Sequence, residues 1–143
     1  MTVIKALEKI LADSYALYLK TQNYHWNVTG TEFRSLHLLF ESQYTELAEA
    51  IDEIAERIRA LGVKVPKLSE FIKLASVSEA DSNLDSSSMI MDLAKNQDIL
   101  ITSLNNGLKI SQKSGDEGTS DIIIQRIKVH EKSRWMLISS LKN

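Results

Sequence analysis

Apolar residues recur along this chain at spacings of three and four, the signature of helices with one buried face. Ile4, Leu7, Ile10, Leu11, Leu17 and Tyr18 mark such a face over residues 2–27, and Thr2 stands where an N-cap belongs. The segment stops at Asn27-Val28-Thr29-Gly30, where Gly30 suits a left-handed turn. From about Thr31 to Leu61, the residues Leu36, Phe40, Leu47, Ile51, Ile54, Ile58 and Leu61 form one continuous stripe that closes at Gly62. Thirty residues make a rod of roughly 45 Å, which needs packing along its whole length.

Residues 63–85 form a connection too long for a turn. Pro66 opens it, Leu68, Phe71, Ile72 and Leu74 predict a short amphipathic helix, and a polar stretch follows. The apolar face of that short helix is expected to be buried against a neighbouring subunit. A third long helix starts near Ser86–Ser88, with an N-cap expected among those serines, and runs to about Lys113 on Ile90, Leu93, Leu100, Leu104 and Leu108. Gly107, inside that stripe, predicts a close helix–helix approach. A fourth begins at the N-cap candidate Asp116 and runs through Ile123, Ile127, His130, Arg134, Leu137 and Leu141. The pattern therefore predicts an all-α chain: a four-helix bundle with a short extra helix between helices two and three, one domain over residues 1–143.

Composition narrows the chemistry. One proline and five glycines suit long uninterrupted helices. The net charge of −2 gives no electrostatic basis for tight nucleic-acid binding. With no cysteine, disulfides and thiolate metal sites are excluded, and any metal must be held by imidazole and carboxylate, which suits iron, manganese or zinc. Lys5, Glu8, Lys9 and Asp13 interrupt every candidate apolar core near the N-terminus, so no secretory signal or membrane span is expected and the default location is cytoplasmic.

The candidate chemistry is concentrated between Tyr24 and Gly62. At 100° per residue with His37 at zero, Glu41 falls near 40°, Asp52 near 60° and Glu56 near 100°. All four lie along one edge of the stripe through Phe40, Ile51 and Ile58, where the carboxylates are expected to be partly desolvated. Yet His37 and Asp52 are fifteen residues, about 22 Å, apart along the axis, and cannot share a metal within one helix. No Glu-x-x-His pair of the kind that builds di-iron sites within one bundle is present. A second copy of the helix lying antiparallel, with a two-fold axis near Glu46 or Leu47, would bring His37 of one chain to Asp52 and Glu56 of the other. His25 would join the His37 half if helix one packs antiparallel to helix two. Simpler readings stand beside this one. A single helical histidine is more often structural, Glu49 and Glu53 suit a solvated face, Glu53 and Arg57 form an i,i+4 pair, and Trp26 suits a core or interface.

The string His25-Trp26-Asn27-Val28-x-Gly30, with Phe33, His37 and then Asp52-x-x-Ala55-Glu56-Arg57-Ile58, closely resembles the Dps family, the DNA-binding proteins from starved cells within the ferritin-like superfamily. Arg126-Ile127-x-Val129-His130-Glu131-Lys132 with Trp135-Met136-Leu137 resembles the same family's C-terminal pattern. The resemblance covers nearly the whole chain. It implies a ferritin-like four-helix bundle, two-fold dimers assembling into a hollow shell of twelve, and oxidation of Fe(II), preferably by hydrogen peroxide, with ferric iron stored inside and DNA thereby protected. By position, His25, His37 and Glu41 would be iron ligands or near-ligands from one subunit, and Asp52 and Glu56 those from its dyad mate. Two irons per site are then possible, and Trp26 would sit nearby as an acceptor of stray oxidising equivalents.

Two departures qualify the match. The family usually has aspartate where this chain has Glu41, which bears on the second iron position. DNA-binding members often carry a lysine-rich tail, whereas here only Lys142-Asn143 follow the last helical residue. Direct DNA binding is therefore not expected, and a DNA-compacting nucleoid protein is the competing function. A plain helical interaction protein is a third. Asp116, Glu117 and Asp121 suit either an iron-entry pore or simple helix-dipole acids.

Overall fold

The computed structural model describes residues 1–141, and the Lys142-Asn143 end lies outside the described residues. Five helices are present: α1 (Val3–Asn27), α2 (Phe33–Ala60), α3 (Leu68–Leu74), α4 (Ser86–Lys113) and α5 (Glu117–Ser139). The four long helices form the bundle and α3 is the short helix in the link, as the periodicity predicts. None of them is long and apolar enough to cross a membrane.

The apolar stripes meet in one core. Leu7, Leu11 and Leu17 of α1, Phe40, Ile54 and Ile58 of α2, Leu93, Leu100 and Leu104 of α4, and Ile123 and Leu137 of α5 are all sealed from water. Where α1 and α4 cross, a Cβ on Gly107 would come within 2.8 Å of Ile10 Cδ1, the close approach that a glycine inside the α4 stripe signals.

Helix ends follow local chemistry. The Thr2 hydroxyl accepts from Lys5 N at 3.1 Å, and Asp116 caps α5 by accepting from Thr119 N. The α4 cap differs from expectation. Asp85, not Ser86–Ser88, accepts from Ser88 N at 2.8 Å, because a carboxylate at that position reaches the third helical amide and leaves the serines inside the first turn. Helix α2 likewise starts at Phe33 rather than Thr31.

The long link travels the length of the bundle along α1. Lys9 donates to Leu74 O, the Asp13 carboxylate accepts from Ser76 N and Val77 N, Lys20 donates to Ser78 Oγ, and Asp81 N donates to the Tyr24 hydroxyl. These ties span about 21 Å of α1 from its first turns to its last. Contacts between His25 and His37 set α2 antiparallel to α1. Those of Asp92 with Lys20, Ser103 with Asp13, and Gly107 with Ile10 set α4 antiparallel to α1 too. Helices α2 and α4 are therefore parallel, which is why their connection must return along the bundle.

Candidate metal centre

The site starts at the turn between α1 and α2. Val28 is buried and its N–H closes the last turn of α1 on Tyr24 O, Gly30 takes a left-handed φ of 112°, and Phe33 N donates back to Gly30 O. This tight reversal lays the last turn of α1 against the first turns of α2. His25 and His37 then stack face to face, with ring centroids 3.8 Å apart and planes inclined by 15°.

Each ring is fixed by the other residue's backbone. His25 Nδ1 lies 2.7 Å from His37 O, and His37 Nδ1 lies 2.7 Å from His25 O. A carbonyl oxygen only accepts, so each Nδ1 carries the proton and each neutral ring keeps its Nε2 lone pair for a metal. The backbone here performs the orienting task that outer carboxylates or carbonyls perform for metal-binding histidines. Phe33 stacks on His37 at 5.0 Å, and Tyr44 meets His25 edge-on at 5.2 Å.

The carboxylates lie elsewhere on the same rod. Asp52 and Glu56 are both exposed and within hydrogen-bonding reach of each other. The hydrogen bond to Asp52, then the repulsion of its charge, raises the Glu56 carboxyl above the ordinary glutamate range. Two carboxylates that share a proton in this way are a pair whose joint charge a cation would neutralise. Glu41 is exposed as well. The partial desolvation expected of these three carboxylates is therefore absent within one chain. Helix α1 covers the His37–Tyr44 flank of α2 and α5 covers the Glu46 flank, but no helix of the same chain covers the flank at 40–100°.

Among the described residues, no group of three or more histidine, aspartate or glutamate side chains comes together within one chain. The structure brings His25 to His37 and Asp52 to Glu56. It leaves the two pairs at opposite halves of α2. Trp26 is 63% exposed, and the rings packed on His25 are those of His37 and Tyr44. Sequence reasoning passed over Tyr44, although it stands seven residues, two helical turns, beyond His37 and so shares its flank.

Other charged candidates have structural partners. Arg57 donates to Asp116 at 2.8 Å and to Thr119 Oγ1 at 3.1 Å, instead of pairing with Glu53 one turn back on the solvent side. Asp116 is thus both cap and ion-pair partner. Burial alone would raise its carboxyl, but the Thr119 hydroxyl and amide and the Arg57 guanidinium outweigh that and hold it below the usual range. Glu117 and Asp121 line a concavity of about 430 Å³ with Gln112, Ser120 and Ile124. His130 is buried, donating from Nδ1 to Gln97 Oε1 at 2.7 Å and accepting from Arg126 at Nε2 at 3.0 Å. Both of its nitrogens are spoken for, so it is a core histidine and no ligand.

Comparison with known proteins gives a consistent family. Residues 4–143 match the ferritin-like domain model. The chain is 40% identical over 136 residues to DNA protection during starvation protein 2 of Bacillus anthracis, covering 94% of this chain and 93% of that protein. Among solved structures it superposes on the Dps protein of Vibrio cholerae O1 with a TM-score of 0.92 at 37% identity, covering 98% of this chain and 89% of that one. That protein is described as a member of a broad superfamily of ferritin-like diiron-carboxylate proteins. Dps from Staphylococcus aureus superposes with a TM-score of 0.94 at 32% identity, covering 99% and 95%.

Proposed function

The chain belongs to the ferritin-like family, in its Dps branch, and from that membership we propose that it oxidises Fe(II) and stores the ferric product, protecting DNA by removing iron and peroxide together. The substrate is Fe(II), the preferred oxidant is hydrogen peroxide, and the working unit is a two-fold dimer within a twelve-subunit cytoplasmic shell. In each site, His25 and His37 of one chain offer Nε2 atoms, Glu41 stands beside them, and Asp52 and Glu56 of the partner offer carboxylates. That donor set suits iron, with positions left for a second iron and an oxidant. Trp26 is retained as a redox neighbour, and Glu117 with Asp121 as part of an iron-entry path.

The observation that carries this reading is the division of α2. One end presents two imidazoles locked by reciprocal Nδ1 hydrogen bonds, the other a proton-sharing carboxylate pair, and about 22 Å of helix keeps them apart. An antiparallel copy of α2 joins the two ends twice over, giving two identical sites per dimer.

The test is complementation. His37→Ala and Asp52→Ala chains, each inactive alone, regain Fe(II) oxidation when co-assembled, because half of the sites in a mixed dimer receive both native halves. A co-assembly that forms mixed dimers and stays inactive would falsify the shared site. Low-salt gel shifts address the alternative of a DNA-compacting protein: robust retardation of DNA by the iron-free shell would favour it over iron chemistry as the route to DNA protection.

A further inference from the structure

An unbroken file of aromatic rings leads away from the histidine half-site. Tyr44 meets His25 edge-on at 5.2 Å, Tyr18 meets Tyr44 at 5.7 Å, Tyr15 meets Tyr18 at 6.0 Å, and Phe71 stacks on Tyr15 at 5.6 Å. These separations are the ordinary contact range of aromatic pairs, so each phenol touches the next. The file crosses from α2 to α1 and ends under α3. Tyr44 and Tyr18 are half-buried, while Tyr15 is 39% exposed beside a groove formed with Leu19, Phe71 and Ile72. Burial in the core explains none of the three well. Leucine or phenylalanine would fill the α1–α2 seam equally, and no hydroxyl partner holds the phenols of Tyr15, Tyr18 or Tyr44 there. Tyr24, by contrast, is fully buried and donates its phenol proton to Asp92 at 2.6 Å.

We propose that Tyr44, Tyr18 and Tyr15 form a one-electron relay that carries oxidising equivalents from the iron site to the surface, where dissolved Fe(II) discharges them. The inference rests on the ferroxidase reading above. Its chemistry begins when a site holds a single Fe(II), which can give peroxide only one of the two electrons it needs. The Fe(II) becomes Fe(III), the O–O bond breaks, and hydroxide and hydroxyl radical form. The radical takes the hydrogen atom of the Tyr44 phenol, giving water and a Tyr44 phenoxyl. Hydrogen-atom exchange then restores Tyr44 and oxidises Tyr18, and a second exchange restores Tyr18 and oxidises Tyr15. At Tyr15, an electron from a dissolved Fe(II) and a proton from water restore the phenol. The sum is two Fe(II) oxidised per peroxide, with one proton taken up and one water and one hydroxide formed.

The relay thus completes the reduction of peroxide without requiring both irons in one site. The exposure gradient favours outward movement, since a phenoxyl is formed most readily where the phenol proton can pass to water. It also protects His25 and His37, the residues nearest to a radical generated at the site.

The test uses the assembled full chain, loaded with substoichiometric Fe(II), mixed with hydrogen peroxide and freeze-quenched for electron paramagnetic resonance. Fe(II) loss is followed optically, and oxidised residues are mapped by peptide mass spectrometry. The expected result is a phenoxyl signal that a second aliquot of Fe(II) erases and that survives Trp26→Phe. Tyr44→Phe, which keeps the ring and removes the phenol, loses the signal and shifts oxidation onto His25 and His37. Tyr18→Phe strands the radical on Tyr44, where added Fe(II) no longer erases it. Should Tyr44→Phe fail to assemble, that loss of erasure in Tyr18→Phe decides the matter alone. Wild-type Fe(II) oxidation without a phenoxyl signal, or a signal unchanged in both variants, overturns the relay and leaves the ferroxidase reading standing. Absence of Fe(II) oxidation overturns both.

Discussion

His25 and His37 hold each other through their backbones: each imidazole donates from Nδ1 to the other residue's carbonyl oxygen at 2.7 Å. The same pair of bonds closes the α1–α2 end and leaves both Nε2 atoms free, so structure and chemistry rest on different atoms of each ring. Substitution can separate them. His37→Ala removes one latch bond and the ring stack, and is expected to lower stability by about 1–2 kcal/mol. His37→Asn keeps a donor near the Nδ1 position and removes Nε2. It should recover most of that stability in a urea titration while Fe(II) oxidation by stopped flow stays reduced roughly 10–100-fold or more.

The helices and the two half-sites were legible in sequence because periodicity and rise per residue are strong constraints. Leu36, Phe40, Ile54 and Ile58 announce α2, and fifteen residues of helix between His37 and Asp52 forbid a shared site whatever the tertiary details. What sequence could not show is how side chains choose among partners. Arg57 has Glu53 one turn away yet reaches across to Asp116 and Thr119, because the packed α5 terminus offers a less hydrated carboxylate and a hydroxyl together. His130 looked no different from His25 in sequence. Only the fold reveals that Gln97 and Arg126 occupy both of its nitrogens. Tyr44 was overlooked because an aromatic on the edge of an apolar stripe usually reads as packing.

Asp13 shows how strongly the long link depends on one buried carboxylate. Fully sealed from solvent, it pairs with Lys9 at 3.1 Å and accepts from Ser103 Oγ at 2.7 Å, Ser76 N at 2.6 Å and Val77 N at 3.2 Å. Asp13→Ala leaves two backbone amides, a hydroxyl and a lysine without that acceptor, and should destabilise the chain by about 3 kcal/mol. Asp13→Asn keeps an acceptor oxygen for the amides and should cost less. Hydrogen exchange at Ser76 and Val77, faster in the alanine variant than in the asparagine variant, distinguishes loss of the link's anchor from general loosening.

Arg57 stands next to Glu56 and fixes the end of α2 that carries the carboxylate pair. Its guanidinium lies so close to Gly118 that a Cβ there would meet Nη2 at 2.9 Å. Arg57→Lys keeps the charge but loses the two-directional grip on Asp116 and Thr119, and should cost about 1 kcal/mol of stability. Gly118→Ala displaces the guanidinium without altering its charge. Both variants should weaken Fe(II) binding, measured by anaerobic titration, through the orientation of Glu56. Unchanged titrations in both would show that the α2 end is held by its apolar contacts alone.

His130 gives the fold a built-in sensitivity to acid. Burial first, and then the positive charge of Arg126, push its imidazole down to about 3. In the unfolded chain the same group titrates near 6.5. The native pKa is therefore depressed below the unfolded one, and the sign for a histidine is that the neutral form is the native form. Above about pH 6.5 neither state binds the proton and stability is unaffected. As pH falls from about 6.5 towards 3, only the unfolded chain gains it, and stability drops by up to about 1.4 kcal/mol per pH unit from this group. His130→Gln can still accept from Arg126 and donate to Gln97, but does not titrate. Urea midpoints measured from pH 7.5 down to 4.5 should fall more steeply for the native chain than for His130→Gln, even if the variant starts lower. Parallel curves would mean that His130 is protonated in the folded protein and that Arg126 moves aside to allow it.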